Sequence, residues 1–371
     1  MFAMVLAIHG VFYFVLTPSM VSHARIFNFL EEKEMEFFGM TFFGSLEGGA
    51  LMAVAGVLFV LGLVMIIKGG DWFVDSASWF AEATGIPKFV VGATVVSFAT
   101  TLPELLVSVR AAMTGSSQMA IGNAIGSVTA NTTLIMGVSL VAMAGVVGRK
   151  SFSLKGGLLL AAIVGLTLLS LGGVLPVWSA YVLWAIFIVF MISNLLEGKK
   201  GAANEKKMEF DKKEVPSRIL FFVLGTAAIV FGAEFLVSSG QTLARGIGIS
   251  EAIIGFTVIA LGTSLPELVT TLTAIRKKEN SLSVGNIIGA NIIDTTLILP
   301  LCAVINGTSL PVERVNLVFD FPVCILACTI AVVPTVIQGK FKKWQGYALL
   351  GVYVAYMLLL VLNEVGVVAL G

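Results

Sequence analysis

The segment VVGATVVSFATTLPELLVSVRAA at 90–112 returns as IIGFTVIALGTSLPELVTTLTAI at 253–275. In each copy a glutamate follows a proline deep inside an apolar run, Glu104 after Pro103 and Glu267 after Pro266. An ionisable side chain at membrane depth is costly and marks an ion pathway or a binding site. The pairs Gly85/Gly248, Gly92/Gly255, Thr94/Thr257, Gly122/Gly285, Asn123/Asn286 and Gly126/Gly289 share the 163-residue offset of the two glutamates, so 85–137 aligns with 248–300 without a gap. This is an internal duplication. Two matched acidic segments predict one two-fold ion-binding site.

Composition sets the class. The 371 residues are 57% apolar and 12% charged, with a mean hydropathy of +1.00, where soluble domains run at roughly 45–50% and about 25%. The chain is therefore read as a polytopic membrane protein. A net charge of +1 with scattered basic residues leaves no footprint for nucleic acid. Cys302, Cys324 and Cys328 sit in apolar stretches and read as packing, and His9 and His23 as structural or interfacial. No cofactor is implied, and the GxGD signature of an intramembrane aspartyl protease is absent, so no enzyme is expected.

Apolar runs long enough to cross a bilayer lie near 50–79, 88–113, 118–147, 154–174, 177–196, 217–241, 250–276, 281–305, 315–337 and 344–364. That is five plus five. Residues 1–44 hold an apolar segment at 2–20, read as an extra helix, and an acidic connector. Residues 45–196 form the first five-helix repeat, 197–216 a charged linker poor in helix, and 217–371 the second repeat. With the linker in the cytoplasm, Arg149, Lys150, Lys155, Arg276, Lys277, Lys278, Lys340, Lys342 and Lys343 fall on the same side, as the positive-inside tendency requires. An odd number of helices per half then makes the second copy enter from the opposite face. The expected fold is an all-α polytopic membrane protein of two inverted five-helix repeats, ten core transmembrane helices plus the N-terminal one, a common plan among secondary transporters.

A proline inside a helix removes one hydrogen bond and pushes on the carbonyl four residues back. Pro103 should free the carbonyl of Ala99 and loosen that of Thr100, and Pro266 those of Gly262 and Thr263. Freed carbonyls, the hydroxyls of Thr100, Thr101, Thr263 and Ser264, and two carboxylates are the hard oxygens that calcium takes about six to eight of. The following segments, GNAIGSVTANTTLI at 122–135 and GNIIGANIIDTTLI at 285–298, add Ser127 and Asn131 on one helix face and Asp294 opposite Asn131 by symmetry. Their glycines also let helices approach closely.

These paired segments resemble the alpha-repeats of the cation/calcium exchanger superfamily, in particular prokaryotic sodium/calcium exchangers, on GxTxxxxxTxxPE followed by GNxxG in both halves. The resemblance covers about 45–365. It implies Glu104 and Glu267 as central calcium ligands beside the Thr100 and Thr263 carbonyls. It also implies flanking sodium sites from Thr101, Ser264, Ser127 and the carbonyls of Ser97 and Ala260, with Asn131 and Asp294 lining the middle. Ala290 stands where many members have serine, which costs one flanking site a hydroxyl. Thr101 keeps the oxygen of the usual serine, Ser97 adds a hydroxyl, and Val128 replaces an asparagine. The implied function is secondary antiport of Ca2+ against Na+ by alternating access, in a prokaryotic inner membrane, as a monomer contacting lipid. H+-coupled or K+-dependent exchange, and a passive cation channel, are the alternatives.

Overall fold

The long apolar runs fold as helix wherever the structure describes them, because a backbone in lipid must satisfy its hydrogen bonds within its own segment; of the expected span at 250–276, residues 250–261 lie outside the described residues. A computed structural model describes residues 48–204 apart from Thr114, Ser116, Val146 and Val147. It also describes residues 212–247, residues 262–364 apart from Thr308, and residues 367–368. The chain divides into two compact units, 1–57 and 58–371. Of the first, the described residues are the opening turns of α1; the expected helix at 2–20 and the acidic connector lie outside them.

In chain order the helices are α1 (Gly48–Thr84), α2 (Lys88–Thr100), α3 (Leu102–Met113), α4 (Ser117–Met143), α5 (Arg149–Ser170), α6 (Ser179–Asn204) and α7 (Glu214–Gly246). Then follow α8 (Leu265–Arg276), α9 (Asn280–Ile305), α10 (Asn316–Gln338) and α11 (Lys343–Glu364). A two-residue β-bridge pairs β1 (Val174–Leu175) with β2 (Leu310–Pro311), antiparallel. Eight of the described helices are long and apolar enough to span a membrane, and α2 with α3, bent by 47° at Thr101, are long and apolar enough only when taken together. The protein is thus an integral membrane protein by the length and composition of its helices.

The duplication seen in the sequence is repeated in the backbone. Helices α3 and α8 begin at 102 and 265, and α4 and α9 at 117 and 280, all at the same 163-residue offset. Within α4 and α9 a π-helical turn opens at Asn131 and again at Asp294. These two helices are the interior of the bundle, with 78% and 89% of their most apolar stretch buried against 17% for α1 and α11.

Helices α1 and α7 cross at glycines. A Cβ on Gly62 would stand 2.7 Å from the Gly232 carbonyl oxygen, and one on Gly69 3.0 Å from that of Gly225. Residue 62 corresponds to 225 and 69 to 232, so the contact is reciprocal, and the pairing makes the two helices antiparallel. The segment read as a helix-poor linker from 197 is in fact helical through Asn204 and again from Glu214. Its first turn is tied down: Glu197 accepts from Ser151 (2.7 Å) and Lys155 (2.9 Å), and a Cβ on Gly201 would stand 2.4 Å from Cδ of Pro87.

Candidate ion-binding site

Proline places both glutamates. The helix breaks at Thr101 and at Ser264, each near φ −85° and ψ 5°, and restarts with the proline in its first turn, where the missing N–H costs nothing. Glu104 and Glu267 therefore sit in the first turns of α3 and α8, where a helix dipole favours a negative group. Both are fully buried, as is Asp294. The three carboxylates act on one another electrostatically, and among the described residues no ion pair involves any of them.

The two halves interlock through hydroxyls and amides. Thr101 Oγ1 lies 3.2 Å from Glu267 Oε1 and 2.6 Å from the Ser97 carbonyl. Thr100 Oγ1 is 3.2 Å from Asn286 Oδ1, and its counterpart Thr263 Oγ1 is 3.1 Å from Asn123 Oδ1. This is a second reciprocal contact between equivalent residues. Ser127 Oγ stands 3.5 Å from Thr263 Oγ1, where Ala290 offers only a methyl group. The asparagines were visible in the sequence only as markers of the repeat. Asn123 also donates to the Glu104 carbonyl (3.3 Å) and to Ser108 (2.9 Å), so it ties α4 to the acidic turn of its own half and to Thr263 of the other. Their recurrence at one offset as polar residues in an apolar helix was the signal.

Among the described residues several buried atoms have no hydrogen-bond partner. Both carboxylate oxygens of Glu104 and of Asp294, Oε2 of Glu267, Oγ of Ser264 and the side-chain amide of Asn131 are buried without a hydrogen bond. An unpaired buried polar group costs about 1–3 kcal/mol and a charged one more. A cation would supply the missing interaction. Among the described residues no group of three or more acidic, histidine or cysteine side chains closes into a metal cage; the donors are carboxylates mixed with hydroxyl and amide oxygens, which suits hard cations. Ser97 is hydrogen-bonded within its own segment. Its carbonyl already accepts from the Thr101 hydroxyl and from the Thr101 N–H at 2.9 Å, and its own hydroxyl donates to the Thr94 carbonyl (3.1 Å). Ala260 lies outside the described residues.

Close helix packing holds this geometry. A Cβ on Gly285 would stand 2.3 Å from the Phe89 carbonyl oxygen, one on Gly92 2.3 Å from that of Leu282, and one on Gly289 2.5 Å from Ser97 Oγ. Helix α2, carrying Thr100, thus lies directly on α9, carrying Asn286 and Asp294. Gly122 and Gly126 have no such neighbour among the described residues.

The profile of the sodium/calcium exchanger protein family matches residues 54–196 and 217–362. The sodium/calcium exchanger MaX1 of Methanosarcina acetivorans is 31% identical over 370 residues, covering 84% of this chain and 99% of that protein. The inner membrane protein YrbG of Escherichia coli is 34% identical over 267 residues, 68% of this chain and 81% of its own length. A solved structure of the sodium-calcium exchanger NCX_Mj, soaked with Na+ and Sr2+, superposes with a TM-score of 0.72 at 28% identity, covering 82% of this chain and 97% of that one. The duplicated acidic turns, their interlocking hydroxyls and these matches across both halves place the chain in the sodium/calcium exchanger protein family.

Proposed function

We propose that this chain is a secondary antiporter that exchanges Ca2+ for Na+ across a membrane by alternating access. The observation that carries the reading is the set of buried oxygens on Glu104, Glu267, Asp294, Ser264 and Asn131 that, among the described residues, are left without hydrogen-bond partners at the junction of the two repeats. Either ion satisfies the same oxygens, so occupancy by one excludes the other, and that competition is the coupling. An empty site leaves carboxylates facing one another in a medium of low dielectric, which opposes closure, whereas a filled site closes at less cost. Ca2+ is held by Glu104 and Glu267, with Thr100, Thr263, Asn131 and Asp294 around it. Na+ uses the flanks, where Ser127, Thr263 and Ser264 are richer in hydroxyls than the side of Ala290.

The two reciprocal contacts, and the antiparallel crossing of the equivalent helices α1 and α7, support an inverted repeat of five helices per half. The concentration of lysine and arginine around the linker supports a cytoplasmic position for it, and likeness to a protein named for the inner membrane supports that location. Uptake of labelled Ca2+ into proteoliposomes loaded with Na+, against vesicles loaded with K+ or choline, tests the reading. Uptake driven only by internal Na+ is expected. Equal uptake without Na+, or uptake driven by a pH gradient alone, would reject sodium coupling.

A further inference from the structure

The exchange site accounts for the paired glutamates but not for the acidic stripe on α1. Asp71, Asp75, Ser78 and Glu82 are spaced by four, three and four residues and so share one helix face. They meet the tight turn between α8 and α9. Arg276 pairs with Asp71, and Lys277 with Asp75 at 2.6 Å and with Asp71 at 3.5 Å. Glu279 accepts from Ser78 at 2.8 Å and from Lys88 at 2.7 Å, and Lys88 reaches Glu82 at 2.7 Å.

The turn that presents these groups is held in an unusual conformation. Lys278 has φ +61°, a region that non-glycine residues seldom occupy. The backbone N–H of Lys277 donates to Thr273 and that of Glu279 to Ala274. Just above it a Cβ on Gly70 would stand 2.7 Å from Thr273 Oγ1, so α1 and α8 are in direct contact beside the charged pairs. All of this lies on the linker face: Glu82, Lys88 and Asn280 line a cavity of about 410 Å³ together with Glu197, which lies in the part of α6 nearest the linker.

Helix α8 joins this cluster to the site. Glu267 occupies its first turn and Arg276 its last, nine residues or about 13 Å away, and a rigid helix transmits displacement of one end to the other. The pairs are partly open to solvent. Asp75, Ser78, Glu82, Lys277 and Glu279 border a second cavity of about 390 Å³, and side-chain exposure runs from 19% for Glu279 to 58% for Arg276. Exposed pairs add little to stability, because water screens them and two long side chains must be held in place. Such a set can break and reform within a transport cycle, as a buried pair cannot.

We propose that Arg276, Lys277 and Lys88, acting through Asp71, Asp75 and Glu279, are positioning residues of the exchange cycle: an ionic clasp that holds α1 on the helix carrying Glu267 while the site is closed to the linker face. The clasp opens when the site turns to that face. This rests on the alternating-access reading above. Loosening the clasp favours the state open to the linker side, so apparent Ca2+ affinity rises at that face and falls at the other. A mutation that merely damages the site lowers affinity at both.

The experiment measures half-saturating Ca2+ separately at the two faces, in full-length protein reconstituted with sorted orientation. For Lys277→Glu a decrease at the linker face and an increase at the opposite face are expected, each about three- to tenfold, the size of an ordinary coupling between sites. The exchanged pair Asp75→Lys with Lys277→Glu should return both values most of the way. Ser78→Ala, which removes one hydrogen bond and should not impair folding, shifts both by about twofold in the same opposed directions. Unchanged values, shifts of one sign at both faces, or no recovery in the exchanged pair would overturn the clasp. Wild type separates the two readings: if Na+ fails to compete with Ca2+ at each face, the exchange cycle itself is wrong, whereas competition in wild type with unshifted variants removes the clasp alone.

Discussion

Adding one methyl group at Gly285 tests whether the site depends on backbone contact between α2 and α9. The new Cβ would stand 2.3 Å from the Phe89 carbonyl oxygen and 3.0 Å from the Ala93 nitrogen, where ordinary contact begins near 3.4 Å. Both neighbours are backbone, so no rotamer change relieves the clash and the helices must part by roughly 1 Å, an overpacking cost of about 1–3 kcal/mol. The same separation acts one helical turn from the site. The Thr100–Asn286 contact of 3.2 Å would lengthen past hydrogen-bond range, leaving the buried Asn286 side-chain oxygen without this donor while Thr100 keeps its bond to the Ser97 carbonyl (3.3 Å). Gly157→Ala is the matched control: it lies within α5, nothing stands within 4 Å of its Cβ, and alanine there favours the helix by up to about 1 kcal/mol. In detergent, thermal unfolding should show Gly285→Ala destabilised by a few degrees and Gly157→Ala unchanged or raised, and Na+-driven Ca2+ uptake should fall only in the former. Wild-type midpoint and uptake in Gly285→Ala would refute the reasoning that glycine contact sets the site.

Glu104→Gln and Glu267→Gln should each abolish Na+-driven Ca2+ uptake while the protein still inserts and folds; full activity in both would remove them as ligands. At Ca2+ one hundred times its dissociation constant the wild type should gain about 2.7 kcal/mol of stability, and a thermal shift of that size persisting in Glu104→Gln would place the ion elsewhere. Asp294→Asn should retain Ca2+ transport, since the equivalent position already carries the neutral Asn131; complete loss of exchange would show the third carboxylate to be indispensable. Lys155→Met takes from the Glu197 carboxylate the cation that holds it at 2.9 Å but leaves its bond to Ser151 and its partial exposure, and should cost about 1–2 kcal/mol, while Lys155→Met with Glu197→Leu should recover most of it; equal stability of the two variants in chemical unfolding would show the pair to be idle.

The acidic turns were legible because their cost makes them improbable. A glutamate after a proline in an apolar run has no packing role, and Glu104 and Glu267 recur at one offset, so chemistry and duplication coincided. The helices were legible for the same reason that membranes admit few structures, and eight of the described ones match runs read from hydropathy alone. Helix boundaries near charge were not. The run after Glu197 looked like linker, yet Ser151 and Lys155 hold that glutamate from α5 and the helix continues to Asn204. Asn123 and Asn286 looked like marks of the repeat, because their partners, Thr263 and Thr100, lie 140 and 186 residues away.

What the sequence determined by itself is a mostly helical membrane chain built from two copies with a pair of acidic turns, because apolar length, proline and periodicity act within a single segment. Tertiary structure alone decided which oxygens remain unpaired, that the Ser97 carbonyl is already engaged, and that the acidic face of α1 meets the turn after α8. Those outcomes depend on which helices touch, and glycine contacts between segments nearly 200 residues apart, such as Gly285 against Phe89, set distances that no local pattern encodes.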